Sequence, residues 1–310
     1  MGGKGLRTGL RALRGRRGDA GGVPRATAEP GGEPLKGASL KLADLRGFAF
    51  DLDGCIWAGA LLLPGAGEFL AALRQRRKRL LFITNNSREL PESVAAKLNR
   101  LGVEASPREV LTALELLGKE IAQRFGWTQV LALGVPEMAR ALEAEGHTLV
   151  PVERWKDARV VALGNDPAFD YAKLKAASRA VASGAGFITV NLDPRLPLEH
   201  GEFDPGAGAL AEAIAVASGV RPIVVGKPSP SIFRSAIERL GCRPEEAAMI
   251  GDSLRSDIRG GLDAGMVTVW VAPPLVKPDP GIRPHLRVAS LHELLEGLDA
   301  DLPASASAGA

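Results

Sequence analysis

The sequence predicts an α/β fold: a doubly wound, Rossmann-like parallel-sheet core with a second α/β layer inserted into one of its loops. Three observations predict it. From Asp44 onward, short apolar runs alternate with segments of helical periodicity, the pattern of successive βαβ units. Several of those runs stop abruptly at carboxylates, amides, Gly or Lys, and open parallel sheets gather their ligands at the carboxyl ends of the strands. Residues 106–220 repeat the alternation on their own between two stretches that complete the first pattern, and exposed loops are where insertions are tolerated.

The first strand is Gly47-Phe48-Ala49-Phe50, an apolar run typical of a strand buried on both faces, and it ends in Asp51-Leu52-Asp53-Gly54-Cys55. Two carboxylates this close to a core cannot both be buried unpaired. A metal ion or a reacting group is the simplest reason for them, although a solvated turn or a fragment of a calcium loop leaves the same letters. Residues 64–78 read as a helix, with Phe69, Leu70 and Leu73 at helical spacing and Arg74, Arg76, Arg77 and Lys78 where cations suit the helix dipole. A strand over 80–83 runs into Thr84-Asn85-Asn86-Ser87, and Pro91 opens a helix that Gly102 stops.

In the middle block the expected elements are helix 110–125, strand 129–133, helix 136–145, strand 159–163, helix 170–183 and strand 186–190. A Pro/Gly/Asp-rich loop over 191–208 and a helix over 208–218 close it. The outer pattern resumes with strand 222–225, which leads into Gly226-Lys227-Pro228 and a helix over 230–240. Strand 247–250 leads into Gly251-Asp252-Ser253, then helix 256–264 and strand 267–271.

Composition limits the function classes. Among 310 residues the two cysteines, Cys55 and Cys242, have no metal-site spacing and exclude a disulfide framework, which fits a reducing, cytoplasmic compartment. No apolar run approaches the ~20 residues of a membrane span. The net charge of +3 is local, because residues 1–40 hold eight Lys and Arg against three acidic residues and the remainder is net −2. The body therefore offers no nucleic-acid footprint, and neither nucleic acid nor membrane is expected as a partner. Residues 1–43 read as a basic Gly/Pro/Arg-rich tail expected to be disordered, without the apolar segment of a secretory signal. Residues 301–310 read as a flexible small-residue tail.

Strand ends of one sheet converge on one edge, so Asp51, Asp53, Thr84, Lys227 and Asp252 are expected to share a cleft. Singly, these positions also look like an exposed lysine, a helix cap and a strand-end turn; the shared edge joins them. Carboxylates, a lysine, a hydroxyl and Gly-adjacent amides suit a hard cation and a phosphate. The donor set matches Mg²⁺, and His147, His200, His285 and His292 are too dispersed for zinc. A carboxylate approaching a dianionic phosphate meets repulsion on the order of 8 kcal/mol at ~4 Å and an effective dielectric of ~20. A divalent cation and Lys227 reverse that sign, which would let Asp51 attack phosphorus and form an aspartyl-phosphate. Asp53 would have to be swung inward by the Gly54 break to protonate the leaving oxygen and then activate water.

Taken together, Asp51-Leu52-Asp53-Gly54, Thr84-Asn85-Asn86-Ser87, Gly226-Lys227-Pro228 and Gly251-Asp252-Ser253 with Asp257 resemble the four ordered motifs of the haloacid dehalogenase superfamily. The wide gap before the lysine resembles its NagD-like, p-nitrophenylphosphatase-like branch, with a large C2-type α/β cap between the second and third motifs. Gly164 with Asp170-Tyr171, Asn191 with Asp193, and Pro205-Gly206-Ala207-Gly208 resemble that branch too. The resemblance implies Asp51 as nucleophile and Mg²⁺ ligand, and Asp53 as acid/base offering its backbone carbonyl to the metal. It implies Thr84, Asn85, Asn86 and Lys227 as the phosphate-binding set, Asp252 as a Mg²⁺ ligand, and Asp257 with Ser253 in support. Cys55 and Ser256 stand where Thr or Val, and Thr, are commoner.

The expectation is thus a discontinuous core (44–105 and 221–300) with a cap over 106–220, hydrolysing a small phosphomonoester such as a sugar phosphate, glycerol phosphate, phosphoglycolate or nucleotide. Asn191, Asp193 and Arg195 are the candidate specificity residues, and the resemblance leaves a homodimer through the cap open. Two other readings remain. A receiver-like phosphate-binding module shares Asp, Thr and Lys around Mg²⁺ but lacks a cap and the second acid. A mutase would pass the phosphoryl group to an acceptor other than water.

Overall fold

The computed structural model describes residues 41–197 and 202–298. The tail over 1–40, His200 and the tail over 301–310 lie outside the described residues. β1 (Gly47–Phe50) is buried along its whole length, as its unbroken apolar run predicts. Phe50 stands in an aromatic cluster, its ring centroid 6.4 Å from Phe48, 6.1 Å from Phe69 and 6.0 Å from Phe82. A small antiparallel hairpin follows, β2 (Trp57–Ala58) with β3 (Leu61–Leu62). Helix α1 (Ala66–Gln75) adds Phe69, Leu70 and Leu73 to the same buried cluster as Phe48 and Phe50. Next come β4 (Arg79–Thr84) and α2 (Pro91–Arg100), which begins on Pro91.

The segment expected to be one helix over 110–125 is split. β5 (Val110–Thr112) pairs in parallel with β4, and α3 (Ala113–Phe125) begins where Thr112 Oγ1 accepts from the Glu115 N–H at 3.1 Å. Thr112 is thus both strand end and helix cap. Val110 and Leu111 fit a helical period, but the open edge of β4 claims them. This is a tertiary choice that overrides local pattern.

The second layer is built from β6 (Gln129–Leu133), α4 (Pro136–Ala144), β7 (Thr148–Leu149), β8 (Val160–Leu163), α5 (Tyr171–Ala182) and β9 (Gly186–Thr189). Asp170 Oδ1 caps α5 by accepting from the Lys173 N–H at 2.8 Å. The Pro/Gly/Asp-rich loop carries a hairpin, β10 (Arg195–Pro197) with β11 (Phe203–Pro205), before α6 (Ala207–Ser218). The chain continues through β12 (Ile223–Val224), α7 (Pro230–Leu240), β13 (Ala247–Gly251), a π-helical turn over Leu254–Ile258 and α8 (Arg259–Asp263). It ends with β14 (Val267–Val271), β15 (Leu286–Val288) and α9 (Leu291–Glu296). No described helix is long and apolar enough to cross a membrane.

Two parallel sheets result. Six strands run in the order β15-β14-β13-β1-β4-β5, and five in the order β12-β9-β8-β6-β7. The first order is doubly wound, with β1 between β13 and β4. Asp51, Asp252 and Thr84 therefore emerge side by side at one edge. β12 departs from expectation: it pairs with β9, Ile223 opposite Ile188 and Val224 opposite Thr189. The ladder continues as the Val225 N–H donates to Thr189 O at 3.0 Å and the Gly226 N–H to Val190 O at 2.7 Å. Lys227 thus enters from the inserted sheet, not from a core strand. The sheets share one buried cluster, which takes in Ala49 and Leu81, Leu114 and Ile121 of α3, and Val130, Val160 and Ile188.

Candidate active site

Lys227 organises the cleft. Its side chain is 2% exposed and its Nζ lies 2.5 Å from Asp51 Oδ1 and 2.7 Å from Asp257 Oδ1, with Ile83 O accepting at 3.3 Å. Burial alone would lower its pKa, but Asp257 and Asp51 outweigh that and hold it above the ordinary lysine value, so the ammonium stays charged. Asn85 fixes the backbone beneath it. The Lys227 N–H donates to Asn85 Oδ1 at 2.7 Å, and Asn85 Nδ2 donates to Lys227 O at 3.1 Å. From the inserted layer, Asn191 Nδ2 donates to Asn85 O at 2.7 Å. Asn85 is therefore the joint between the second motif, the lysine motif and the inserted layer.

Asp51, Asp252 and Asp257 each offer a carboxylate oxygen within 4.8 Å of the others. Burial is the largest cause raising all three. For Asp51, Lys227 opposes burial and Asp252 adds to it; for Asp252, the charge of Asp257 adds; for Asp257, that of Asp51 adds. Each is pushed from 3.8 up to about 6. Three carboxylates facing one another around a single ammonium leave an excess of negative charge, and their donor set is all oxygen. A hard divalent cation fits that set, with Asp51 and Asp252 as the carboxylates best placed to hold it, since both oxygens of Asp257 are already taken, Oδ1 by Lys227 and Ser256 and Oδ2 by the Ser253 N–H.

The local sequence explains each placement. Asp51 ends β1, with its N–H donating to Ile250 O at 2.8 Å. Gly54 then turns the chain with φ +83°, and a Cβ there would press on Asp252 Oδ2, so the first motif and the fourth pack backbone against carboxylate. Asp252 follows β13, and its carbonyl accepts from Trp270 Nε1 at 2.8 Å. Arg287 covers that indole at 4.5 Å from the ring centroid. The π-helical turn after Ser253, of a kind common at functional sites, brings Asp257 back beneath the strand end. Ser253 N–H donates to Asp257 Oδ2 at 3.0 Å and Ser256 Oγ to Oδ1 at 3.3 Å.

Not every expected residue is gathered. Thr84 is 3% exposed at the end of β4, its Oγ1 accepting from the Asn86 N–H at 3.1 Å. The Asn86 side chain instead shapes the following turn: its Oδ1 accepts from the Arg88 and Glu89 N–H groups at 2.7 and 3.0 Å, and its Nδ2 donates to Glu89. Asp53 is exposed and outside the three-carboxylate cluster, with its Oδ1 accepting from Trp57 Nε1 at 2.7 Å. Asp193 is exposed, its N–H donating to Asn191 Oδ1 at 3.1 Å. Desolvation raises its carboxyl, and Lys227 and Asn85 oppose the shift. Arg195 stacks on Phe203, 4.1 Å from the ring centroid, which ties it to its own hairpin.

Sequence reasoning missed Trp57, Trp270 and Asn165. Asn165 N–H donates to Ser87 Oγ at 3.2 Å and its Nδ2 to Pro205 O at 3.1 Å, a second link between the inserted layer and the second motif. The available signal was Gly164-Asn165-Asp166 at the end of a predicted strand, read for its Gly alone.

Two sequence models, for haloacid dehalogenase-like hydrolases and HAD-hydrolase-like chains, match residues 48–148 and 224–294. Human glycerol-3-phosphate phosphatase is 37% identical, over 79% of this chain and 86% of its own length. The chain belongs to the haloacid dehalogenase-like hydrolases. Within them it is similar to the 4-nitrophenylphosphatase of Thermotoga maritima, with 31% identity and a TM-score of 0.74 over 83% of this chain and 98% of that one. A glycerol phosphate phosphatase of Mycobacterium tuberculosis, solved in complex with magnesium, gives 30% identity and a TM-score of 0.75 over 84% of this chain and 79% of its own. These relatives place the chain in the NagD-like, p-nitrophenylphosphatase-like branch of the family.

Proposed function

We propose that this phosphoric monoester hydrolase of the haloacid dehalogenase family cleaves a small phosphomonoester in two steps, with Mg²⁺ bound between Asp51 and Asp252. The observation that carries the reading is Lys227 Nζ, held within 2.7 Å of both Asp51 and Asp257 and nearly sealed from water. A fixed positive charge beside a strand-end carboxylate is what a nucleophile facing a phosphate dianion requires.

In the first step an Asp51 carboxylate oxygen attacks phosphorus in line. The bond from phosphorus to the ester oxygen breaks, and that oxygen leaves with a proton given by the Asp53 carboxyl. In the second, Asp53, now ionised, takes a proton from water as its oxygen attacks phosphorus. The bond to Asp51 breaks, freeing inorganic phosphate and restoring both carboxyl groups. Thr84 and the Asn85 backbone flank the phosphoryl position with Lys227. Asn85 also keeps the lysine aimed, through its two bonds to residue 227. When bound, the cation supplies charge neutralisation for the phosphoryl oxygens. Relatives named as glycerol-3-phosphate and acid sugar phosphatases and as a 5′-nucleotidase favour a small phosphorylated metabolite as substrate.

Phosphate release from a panel of such esters tests this reading. Release is expected with Mg²⁺ present, to be lost on chelation by EDTA and to return on adding Mg²⁺ back. Turnover indifferent to EDTA would overturn the metal assignment, and turnover only in the presence of a second sugar acceptor would favour a mutase.

Metal and proton compete for the same oxygens, which fixes a pH dependence. The three carboxylates titrate near 6 in the folded protein against 3.8 when free. Between those values the native state binds more protons than the unfolded chain, so metal-free stability falls as the pH rises through that window. Bound Mg²⁺ selects the ionised form, so its stabilisation is small at pH 5 and full above 7. A metal concentration of about 100 times Kd adds ~2.7 kcal/mol there, on the order of 5 °C in Tm for a chain of this size. Thermal melts with and without Mg²⁺ at pH 5 and 7.5 check this. A shift equal at both values would contradict it.

A further inference from the structure

Trp57 is an unassigned residue whose only polar side-chain atom is spent on the proposed acid/base. Its Nε1 donates to Asp53 Oδ1 at 2.7 Å, while the ring is buried to 3% exposure. The indole cannot drift, because both its backbone and its ring are fixed. Gly54 N–H donates to Trp57 O at 2.8 Å and Trp57 N–H to Leu52 O at 3.1 Å, closing the Asp53–Trp57 turn. The Lys97 ammonium sits over the ring, 4.1 Å from its centroid. Asp53, by contrast, is exposed. Left alone, its side chain would sample its rotamers freely in water. The rigid indole donor beside it selects one of them.

We propose that Trp57 is the positioning residue for Asp53. With Oδ1 occupied as acceptor of the indole N–H, the transferable proton is confined to Oδ2, and the carboxyl plane is set before substrate arrives. The inference rests on the proposed role of Asp53 and adds to it the residue that makes a surface carboxylate a directed acid. Fixing a proton donor in one rotamer spares the reaction the cost of ordering it. Lys97 acts one layer behind, keeping the ring plane through its cation–π contact.

The consequence depends on the leaving group. An alkyl phosphate expels an alkoxide and needs the Asp53 proton; p-nitrophenyl phosphate expels a stabilised phenolate and does not. Trp57→Phe removes the N–H donor, at the cost of the fused five-membered ring, and leaves an aromatic ring at the buried position beside Lys97. Its kcat/KM on glycerol phosphate is expected to fall about 10–100-fold, within the ~10²–10⁴-fold span of general acid catalysis, and on p-nitrophenyl phosphate less than about threefold. Because kcat/KM reports the steps through leaving-group departure, later water activation does not enter the comparison. Equal losses on both substrates would reduce Trp57 to a structural residue, and no loss on either would leave it without the role. Lys97→Met, a change on a half-buried position of α2, keeps the inference testable if Trp57→Phe does not fold; the same leaving-group bias is expected at smaller size, and its absence counts against the proposal. In an Asp53→Asn background Trp57→Phe is expected to add no further bias, and a bias that persists there would overturn the route through Asp53. Wild-type protein that releases phosphate from neither ester would fail the functional reading itself, a different result from any of these.

Discussion

Asp51→Asn abolishes phosphate release, by about 10⁴-fold or more, because the amide has no ionised oxygen to bond phosphorus and the two-step route closes. The protein still folds. The replacement is isosteric, its oxygen still accepts from Lys227, and Lys227 keeps its second partner, Asp257, at 2.7 Å. Removing one of three crowded carboxylates also relieves their repulsion, so the metal-free Tm stays within a few degrees of the parent. Mg²⁺-dependent stabilisation shrinks with the lost ligand. Turnover on p-nitrophenyl phosphate together with a thermal melt checks all three. A variant working at the parent rate would end the nucleophile assignment.

Lys227→Met costs both activity and stability, and the two losses have one cause. Asp257 is fully buried and Asp51 nearly so, and Lys227 is the cation between them. Removing one member of a buried ion pair strands the others and is worth about 3–5 kcal/mol, on the order of 5–10 °C in Tm. The stranded carboxylates recover part of this by taking up protons, so the destabilisation is largest above pH 7 and smaller near pH 5. Activity falls by about 10³-fold, the scale of losing one preorganised charge at a developing oxyanion. Thermal melts at both pH values and steady-state phosphate release check this. A variant as stable as the parent would mean that the triad is not the buried charge cluster described here.

Most of the core was legible because its strands announce themselves twice, by an apolar run and by what ends it. Phe48-Ala49-Phe50 before Asp51, and the apolar run of β13 before Gly251-Asp252, were expected to end at one sheet edge, and they lie on paired strands. Thr84, on the other flank of β1, follows the same logic. The lysine motif was placed in the right cleft for a wrong reason. Ile223-Val224 is too short to carry a face preference, and hydrogen bonds to β9 decide its sheet. Val110-Leu111-Thr112 failed similarly, because its apolar spacing satisfies a helix until β4 offers an edge.

Within the site, the charged residues and the Asn85 beside them could be read from the chain, and the indoles that meet them could not. Trp57 and Trp270 look in sequence like ordinary core aromatics. Their indole N–H groups are directed at Asp53 and Asp252 by folds of the chain that no periodicity reveals. The resemblance implied Asn86 in the phosphate-binding set; its side chain closes a turn, while that of Asn85 clamps Lys227.

The most direct test is to quench the Mg²⁺-loaded protein in acid during turnover of p-nitrophenyl phosphate and map phosphate by peptide mass spectrometry. The account predicts a phosphoryl group on Asp51, in the peptide that also contains Asp53, and none in the Asp51→Asn protein. Turnover at the full rate with no labelled Asp51, or label on another residue, would contradict it.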